Sequence, residues 1–154
     1  VLDGGPTAVG VESTIVACLD RPTLLRPGGV PRADIERVLG APLATPAPAG
    51  GEAPVAPGML SSHYAPRARV RLNAESPRDG EALLAFGLAP AWPAEMMRNL
   101  SPRRDLVEAA ANLFSHLRAL DACGAETIAV MPIRSEGLGE AINDRLQRAA
   151  APKD

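Results

Sequence analysis

The stretch Asp105-Leu-Val-Glu-Ala-Ala-Ala-Asn-Leu-Phe-Ser-His-Leu-Arg-Ala-Leu-Asp-Ala-Cys-Gly-Ala-Glu-Thr-Ile-Ala-Val-Met131 decides the fold. Leu106, Ala109, Ala110, Leu113, Leu117 and Leu120 recur at intervals of three and four, which places them on one face of a helix. Ser101 and Asp105 are alternative N-terminal caps for that helix, which spans roughly 104–122. Gly124 follows it, and Glu126-Thr-Ile-Ala-Val-Met131 has the apolar, β-branched character of a strand.

Working outward, the same alternation continues. Ala68-Arg-Val-Arg-Leu72 alternates as a half-buried strand does. Glu81-Ala-Leu-Leu-Ala-Phe-Gly87 is a continuous apolar run, the pattern of a strand covered on both faces. Met97-Arg-Asn-Leu100 is a short third strand, and Gly139 to Ala150 forms a closing amphipathic helix. Strands alternating with helices predict an α/β unit over 67–150, built on a small, mostly parallel sheet.

The first part of the chain has a different texture. Residues 1–40 read as the end of a separate α/β domain. The run Ser13 to Val16 favours a strand, Arg21-Pro22 breaks it, and Thr23-Leu-Leu-Arg26 is a second short extended run, as in a hairpin. Pro31 opens a helix with apolar positions at Ile35, Val38 and Leu39, and Gly40 stops it. Residues 41–58 hold many prolines and glycines without periodicity, so 41–66 is expected to be an extended linker. The linker ends in Met59-Leu-Ser-Ser-His-Tyr-Ala-Pro66, which carries His63 and the only tyrosine, Tyr64.

Composition narrows the function. The chain has 154 residues and a net charge of -2, which argues against a polybasic nucleic-acid binder. Apolar residues make up 46% but aromatics only 3%, so aliphatic side chains must build the core and stacking platforms for bases are scarce. No apolar run approaches the roughly 20 residues of a membrane span. Cys18 and Cys123 lie far apart without CxxC spacing, which points to free thiols in a reducing, cytoplasmic setting rather than a disulfide or zinc site. Val1 stands in place of Met and no signal-peptide pattern follows, so the chain is expected to lie inside a longer protein.

Phosphate-loop, zincin, nucleophile-elbow and dinucleotide motifs are missing from the sequence. Gly137-Leu-Gly139 is either half a dinucleotide fingerprint or a turn into the last helix. Asp3-Gly-Gly-Pro6 is either a phosphate-cradling turn or a tight surface turn. The hydroxyls of Ser13 and Thr14, beside Glu12, either satisfy nearby backbone groups or line a pocket for a polar substrate. Arg26 is either a surface charge or a bidentate phosphate ligand. His63 and Tyr64 either anchor the linker or close over a ligand. His116, inside the long helix, reads as half-buried rather than ligating. Catalytic residues cannot be picked out, and no metal ligands are proposed.

Five motifs nevertheless occur in register: Asp3-Gly-Gly-Pro6, Gly10-Val-Glu-Ser-Thr-Ile-Val16, Leu25-Arg-Pro-Gly-Gly29, Ala56-Pro-Gly-Met59 and His63-Tyr-Ala-Pro66. Together with Glu136-Gly-Leu-Gly-Glu-Ala-Ile-Asn-Asp-Arg-Leu146, they resemble the C-terminal part of the two-domain threonylcarbamoyl-AMP synthases of the YrdC-like family. The resemblance implies the end of a YrdC-like catalytic domain over 1–40, a linker over 41–66 and a small Rossmann-like accessory domain over 67–150. It implies an enzyme, an L-threonylcarbamoyladenylate synthase. Such enzymes condense L-threonine, bicarbonate and ATP, with magnesium, into threonylcarbamoyl-AMP and pyrophosphate. The product passes to tRNA-modifying machinery.

By the same resemblance, Ser13 and Thr14 bind L-threonine, while Arg26, Tyr64 and His63 bind ATP. The basic cluster that grips triphosphate in the family is not in this sequence, so the stretch alone is expected to be inactive. Direct nucleic-acid binding and membrane attachment are not expected. The rival reading is a stand-alone α/β regulatory or interaction module over 67–150 without catalysis.

Overall fold

The computed structural model describes residues 5, 7–18, 20–46 and 65–152. Its second part is the α/β unit expected from the sequence. Four strands, β3 (Arg69–Arg71), β4 (Ala82–Ala85), β5 (Met97–Asn99) and β6 (Thr127–Val130), form one sheet in the order β3-β6-β4-β5. Every pairing is parallel: Val70 opposite Ile128, Leu83 opposite Ala129, and Leu84 opposite Arg98. Parallel neighbours require crossovers. The connection from β5 to β6 is helix α2 (Leu106–Asp121), and α3 (Leu138–Ala149) follows β6.

Strand β4 is buried at all four positions, as its unbroken apolar run demands. One sheet face presents Leu84, Ile128 and Val130 to Leu113 and Leu117 of α2 and to Ile142 and Leu146 of α3. The opposite face presents Leu83, Ala85 and Ala129, covered by Trp92 and Met97. The Trp92 indole N–H donates to the Glu81 carbonyl at 3.0 Å, which ties the β4–β5 connection over this face. On the adjacent edge, Arg71 pairs with the buried Glu81 carboxylate at 2.5 Å. That contact, with the Arg78 backbone N–H, holds Glu81 below the usual carboxylate range.

Of the two candidate caps, Asp105 occupies the α2 N-cap, its carboxylate accepting from the Val107 and Glu108 backbone N–H groups. Those bonds hold its pKa down. Ser101 supports the cap instead, accepting from the Asp105 N–H at 2.9 Å and donating to Glu108 at 2.5 Å.

In the first part, β1 (Ile15–Ala17) and β2 (Thr23–Arg26) pair antiparallel, and α1 (Arg32–Leu39) follows, closed by Gly40 in the left-handed conformation. The strand begins later than the Ser13 the sequence suggested, because Ser13 and Thr14 pack against the Pro27–Val30 segment instead. Residues 41–46 are extended, but not idle: Leu43 is buried, and Ala44 bridges to Thr23, accepting from the Leu24 N–H and donating to the Pro22 carbonyl, both at 2.9 Å. Extended, proline-bounded backbone still has donors and acceptors, and the open edge of β2 satisfies them.

The two parts touch directly. Val11 belongs to the same apolar core as α2 and α3, with Val9 packed against it. A β-carbon on Gly10 would collide with the Ala110 carbonyl and the Ala111 Cα, so α2 backbone and this segment meet with nothing between them. Arg32 of α1 reaches Glu140 of α3 through Nη2 at 2.6 Å and Nε at 3.1 Å. Its guanidinium pKa is raised by that bonding. Among the described residues no helix is long and apolar enough to cross a membrane.

Candidate functional site

Ser13, Thr14 and Arg26 come together around the junction between β1 and the loop after β2. Arg26 ends β2 with its side chain turned inward, and the residue is 8% exposed. Its Nη2 and Nε donate to the Ser13 carbonyl at 3.0 and 3.2 Å, and Nη2 lies 3.4 Å from the Ser13 hydroxyl. A buried guanidinium must spend its N–H groups on acceptors. Here it spends them on the backbone that presents Ser13, whose residue is exposed.

Thr14 is used differently. Its Oγ1 donates to the Val30 carbonyl at 2.7 Å and accepts from the Val30 N–H at 3.1 Å. One hydroxyl thereby satisfies both peptide groups of a residue sixteen positions on. The Gly29 N–H donates to the Glu12 carbonyl at 2.9 Å, adding a second lace between the same two segments. Between these laces lies Gly28, where any β-carbon would overlap the Glu12 carbonyl, the Ser13 carbonyl carbon and the Thr14 nitrogen. The first glycine of the Gly-Gly pair in Leu25-Arg-Pro-Gly-Gly29 is therefore a packing requirement of the Glu12-Ser13-Thr14 segment, with its chemical groups held in place by backbone contact.

The α/β unit meets this junction through Arg145 of α3. Arg145 is 2% exposed, and it donates to the Glu12 carboxylate at 2.9 Å and the Pro27 carbonyl at 3.2 Å. Asp144 also pairs with it, and Arg148 completes the group by bonding Asp144 at 2.9 and 3.0 Å. Sequence reading missed Arg145, although a signal was present. It lies three residues after Ile142 and four after Ala141, in the apolar stripe of α3, where an arginine signals a buried ion pair. A cleft of about 280 Å³ opens beside it, lined by Leu24, Pro27, Arg32, Glu140, Asn143 and Asp144 among others.

Tyr64 and His63, and Asp3, Gly4 and Pro6 of the Asp3-Gly-Gly-Pro6 stretch, lie outside the described residues. His116 is half-buried on α2. Its Nδ1 is buried without a hydrogen-bond partner. Burial, with a smaller contribution from Arg98, lowers its pKa. Gly137 is the N-cap of α3, and Gly139 lies in its first turn, where a β-carbon would strike the Arg134 carbonyl. Cys18 and Cys123 are free and exposed.

Residues 30–151 match the family described as the threonylcarbamoyl-AMP synthase C-terminal domain. The chain belongs to that family. Its relatives include the threonylcarbamoyl-AMP synthases of Pyrococcus abyssi, 37% identical over 97% of this chain, and of Bacillus subtilis, 34% identical over 97%. The chain spans about half the length of these relatives, 48% in each case. Among solved structures it is similar to P. abyssi Sua5 complexed with L-threonine, with a TM-score of 0.78 and 34% identity over 96% of this chain and 48% of the other. A second structure of that protein, a variant with an adjacent His-Tyr pair replaced by alanines, matches with a TM-score of 0.76 at 32% identity, over 96% of this chain and 47% of that one. The family match confirms the resemblance and the α/β fold with its parallel sheet.

Proposed function

We propose that the chain is the C-terminal part of a cytoplasmic enzyme that forms threonylcarbamoyl-AMP and pyrophosphate from L-threonine, bicarbonate and ATP, for tRNA threonylcarbamoyladenosine modification. The observation that carries this reading is the likeness, over 96% of the chain, to a protein crystallised with L-threonine. In the reaction, an oxygen of the threonine carbamate attacks the α-phosphate of ATP. The bond from that phosphorus to the bridging oxygen of the β-phosphate breaks, and pyrophosphate leaves. Positioning and positive charge supply most of the acceleration in such a transfer.

In this reading 1–40 ends the catalytic domain, 41–66 links it to the accessory domain over 67–150, and Ser13 presents its hydroxyl to threonine with Thr14 beside it. Arg26 orders Ser13 and faces the nucleotide, and Tyr64 and His63 contact ATP from the linker. His63-Tyr64 is the only His-Tyr pair in the sequence, and a pair of the same type was chosen for replacement in the P. abyssi protein. Magnesium is proposed to arrive with the ATP. The two-stranded β1–β2 sheet is too small to be stable alone, and α1 leaves Val38 83% exposed. Both features suit a piece of a larger catalytic domain.

The test compares this chain with a full-length protein containing it. Both are incubated with ATP, threonine and bicarbonate, and pyrophosphate is measured. The full-length protein is expected to turn over and bind threonine, and this chain alone to be inactive. A full-length protein that releases no pyrophosphate and binds no threonine would overturn the reading.

A further inference from the structure

We propose that Arg145 of the accessory part is a positioning residue for the threonine site, so that the second domain sets substrate affinity in the first. The inference rests on the function proposed above. Among the described residues the hydrogen bonds of Arg145 go to Glu12, Pro27 and Asp144. It holds the residue immediately before Ser13, through the Glu12 carboxylate at 2.9 Å, and the residue immediately after Arg26, through the Pro27 carbonyl at 3.2 Å. One side chain of α3 thus grips both segments of the junction.

The chemistry supports a purpose beyond holding two domains together. A guanidinium this buried needs full compensation, which Asp144 and Glu12 supply. The contact across the domain boundary is already made by Val11, Gly10 and the Arg32–Glu140 pair. What Arg145 adds is a fixed placement of the Glu12 carboxylate and the Pro27–Gly28 peptide relative to each other. A planar guanidinium holds its donors in a rigid fork and so fixes the directions of two acceptors at once, whereas an ammonium is a point charge on a flexible stem. Gly28 and the Thr14–Val30 bonds keep the two segments close, and Arg145 fixes their register against the helix.

The test uses the full-length protein and the variants Glu12→Gln, Arg145→Gln and the double variant. Threonine and ATP affinities are measured by calorimetry, and melting temperature without ligand is measured in parallel. Each single variant is expected to weaken threonine binding about tenfold, with ATP affinity within about twofold. The double variant is expected to be little weaker than Arg145→Gln, because both changes break the same link. Glu12→Gln leaves Arg145 paired with Asp144, so it reports even if Arg145→Gln does not fold. Unchanged threonine affinity in Glu12→Gln with a lowered melting temperature would overturn the proposal and leave Arg145 a structural tie. Equal losses of threonine and ATP affinity would also overturn it. If the unaltered protein binds no threonine, the proposed function fails and this inference with it. If it binds normally and the variants match it, the inference alone fails.

Discussion

Gly28 lies against the Glu12 carbonyl so closely that no β-carbon fits between them. The crowding comes from backbone on both sides, which cannot rotate away as a side chain would. Gly28→Ala is therefore expected to separate the Glu12–Thr14 and Pro27–Val30 segments and to abolish measurable threonine binding in the full-length protein. Calorimetric titration checks this.

Thr14 and Ser13 should respond differently to substitution. Thr14→Val removes the hydroxyl that serves both Val30 peptide groups, and should cost about 1 kcal/mol of stability. Thr14→Ser keeps the hydroxyl and should be near neutral. Ser13→Ala should leave stability nearly unchanged while weakening threonine binding. Urea unfolding and threonine titration on the same variants separate the two effects.

Arg26 should couple the two substrates. Because its guanidinium holds the Ser13 carbonyl, Arg26→Ala is expected to weaken threonine binding as well as ATP binding, the latter by roughly 1.5–3 kcal/mol. Tyr64→Ala should lower ATP affinity without moving the melting temperature of the ligand-free protein. Unchanged ATP affinity in both variants would count against either residue as a nucleotide contact.

His116 predicts a pH dependence. Burial lowers its pKa in the folded state, so between neutrality and pH 5 the unfolded chain binds a proton more readily than the native one. Its contribution is thus present above the ordinary histidine pKa of about 6.5 and lost as pH falls through the lower folded value. His116→Leu removes that linkage. The stability of the variant relative to the parent is expected to rise as pH falls below the ordinary histidine pKa, as measured by denaturant midpoints.

Leu113→Ala tests the packing of α2 on the sheet. Leu113 is fully buried between the sheet and α3, and its truncation should cost about 2–5 kcal/mol. Val107→Ala on the same helix, where the residue is 51% exposed, should be close to neutral.

The parallel sheet was legible because its signal is local. The unbroken run at 82–85 and the helical spacing from Leu106 to Leu120 each have one reading that buries enough apolar surface. The strand order was not legible, since nothing in the sequence of β3 states that its neighbour is β6 rather than β4. The junction was half legible. Ser13, Thr14 and Arg26 stood out as polar residues at strand ends, but Gly28 looked like an ordinary turn. Its necessity depends on a backbone fourteen to sixteen positions away. Arg145 was hidden for the same reason: its partner Glu12 is 133 residues distant, and only the fold supplies that proximity.

That distance also sets an order of events during synthesis. Glu12 leaves the ribosome long before Arg145, and at about 5–20 residues per second the interval is on the order of ten seconds. Strand β3 waits similarly, since β6, its partner in the sheet, is made well after it. The nascent chain therefore carries its Glu12–Ser13 segment without its α3 anchor throughout that interval. Final ordering of this junction is tied to completion of the accessory domain, so a message broken before α3 would yield a product lacking that anchor.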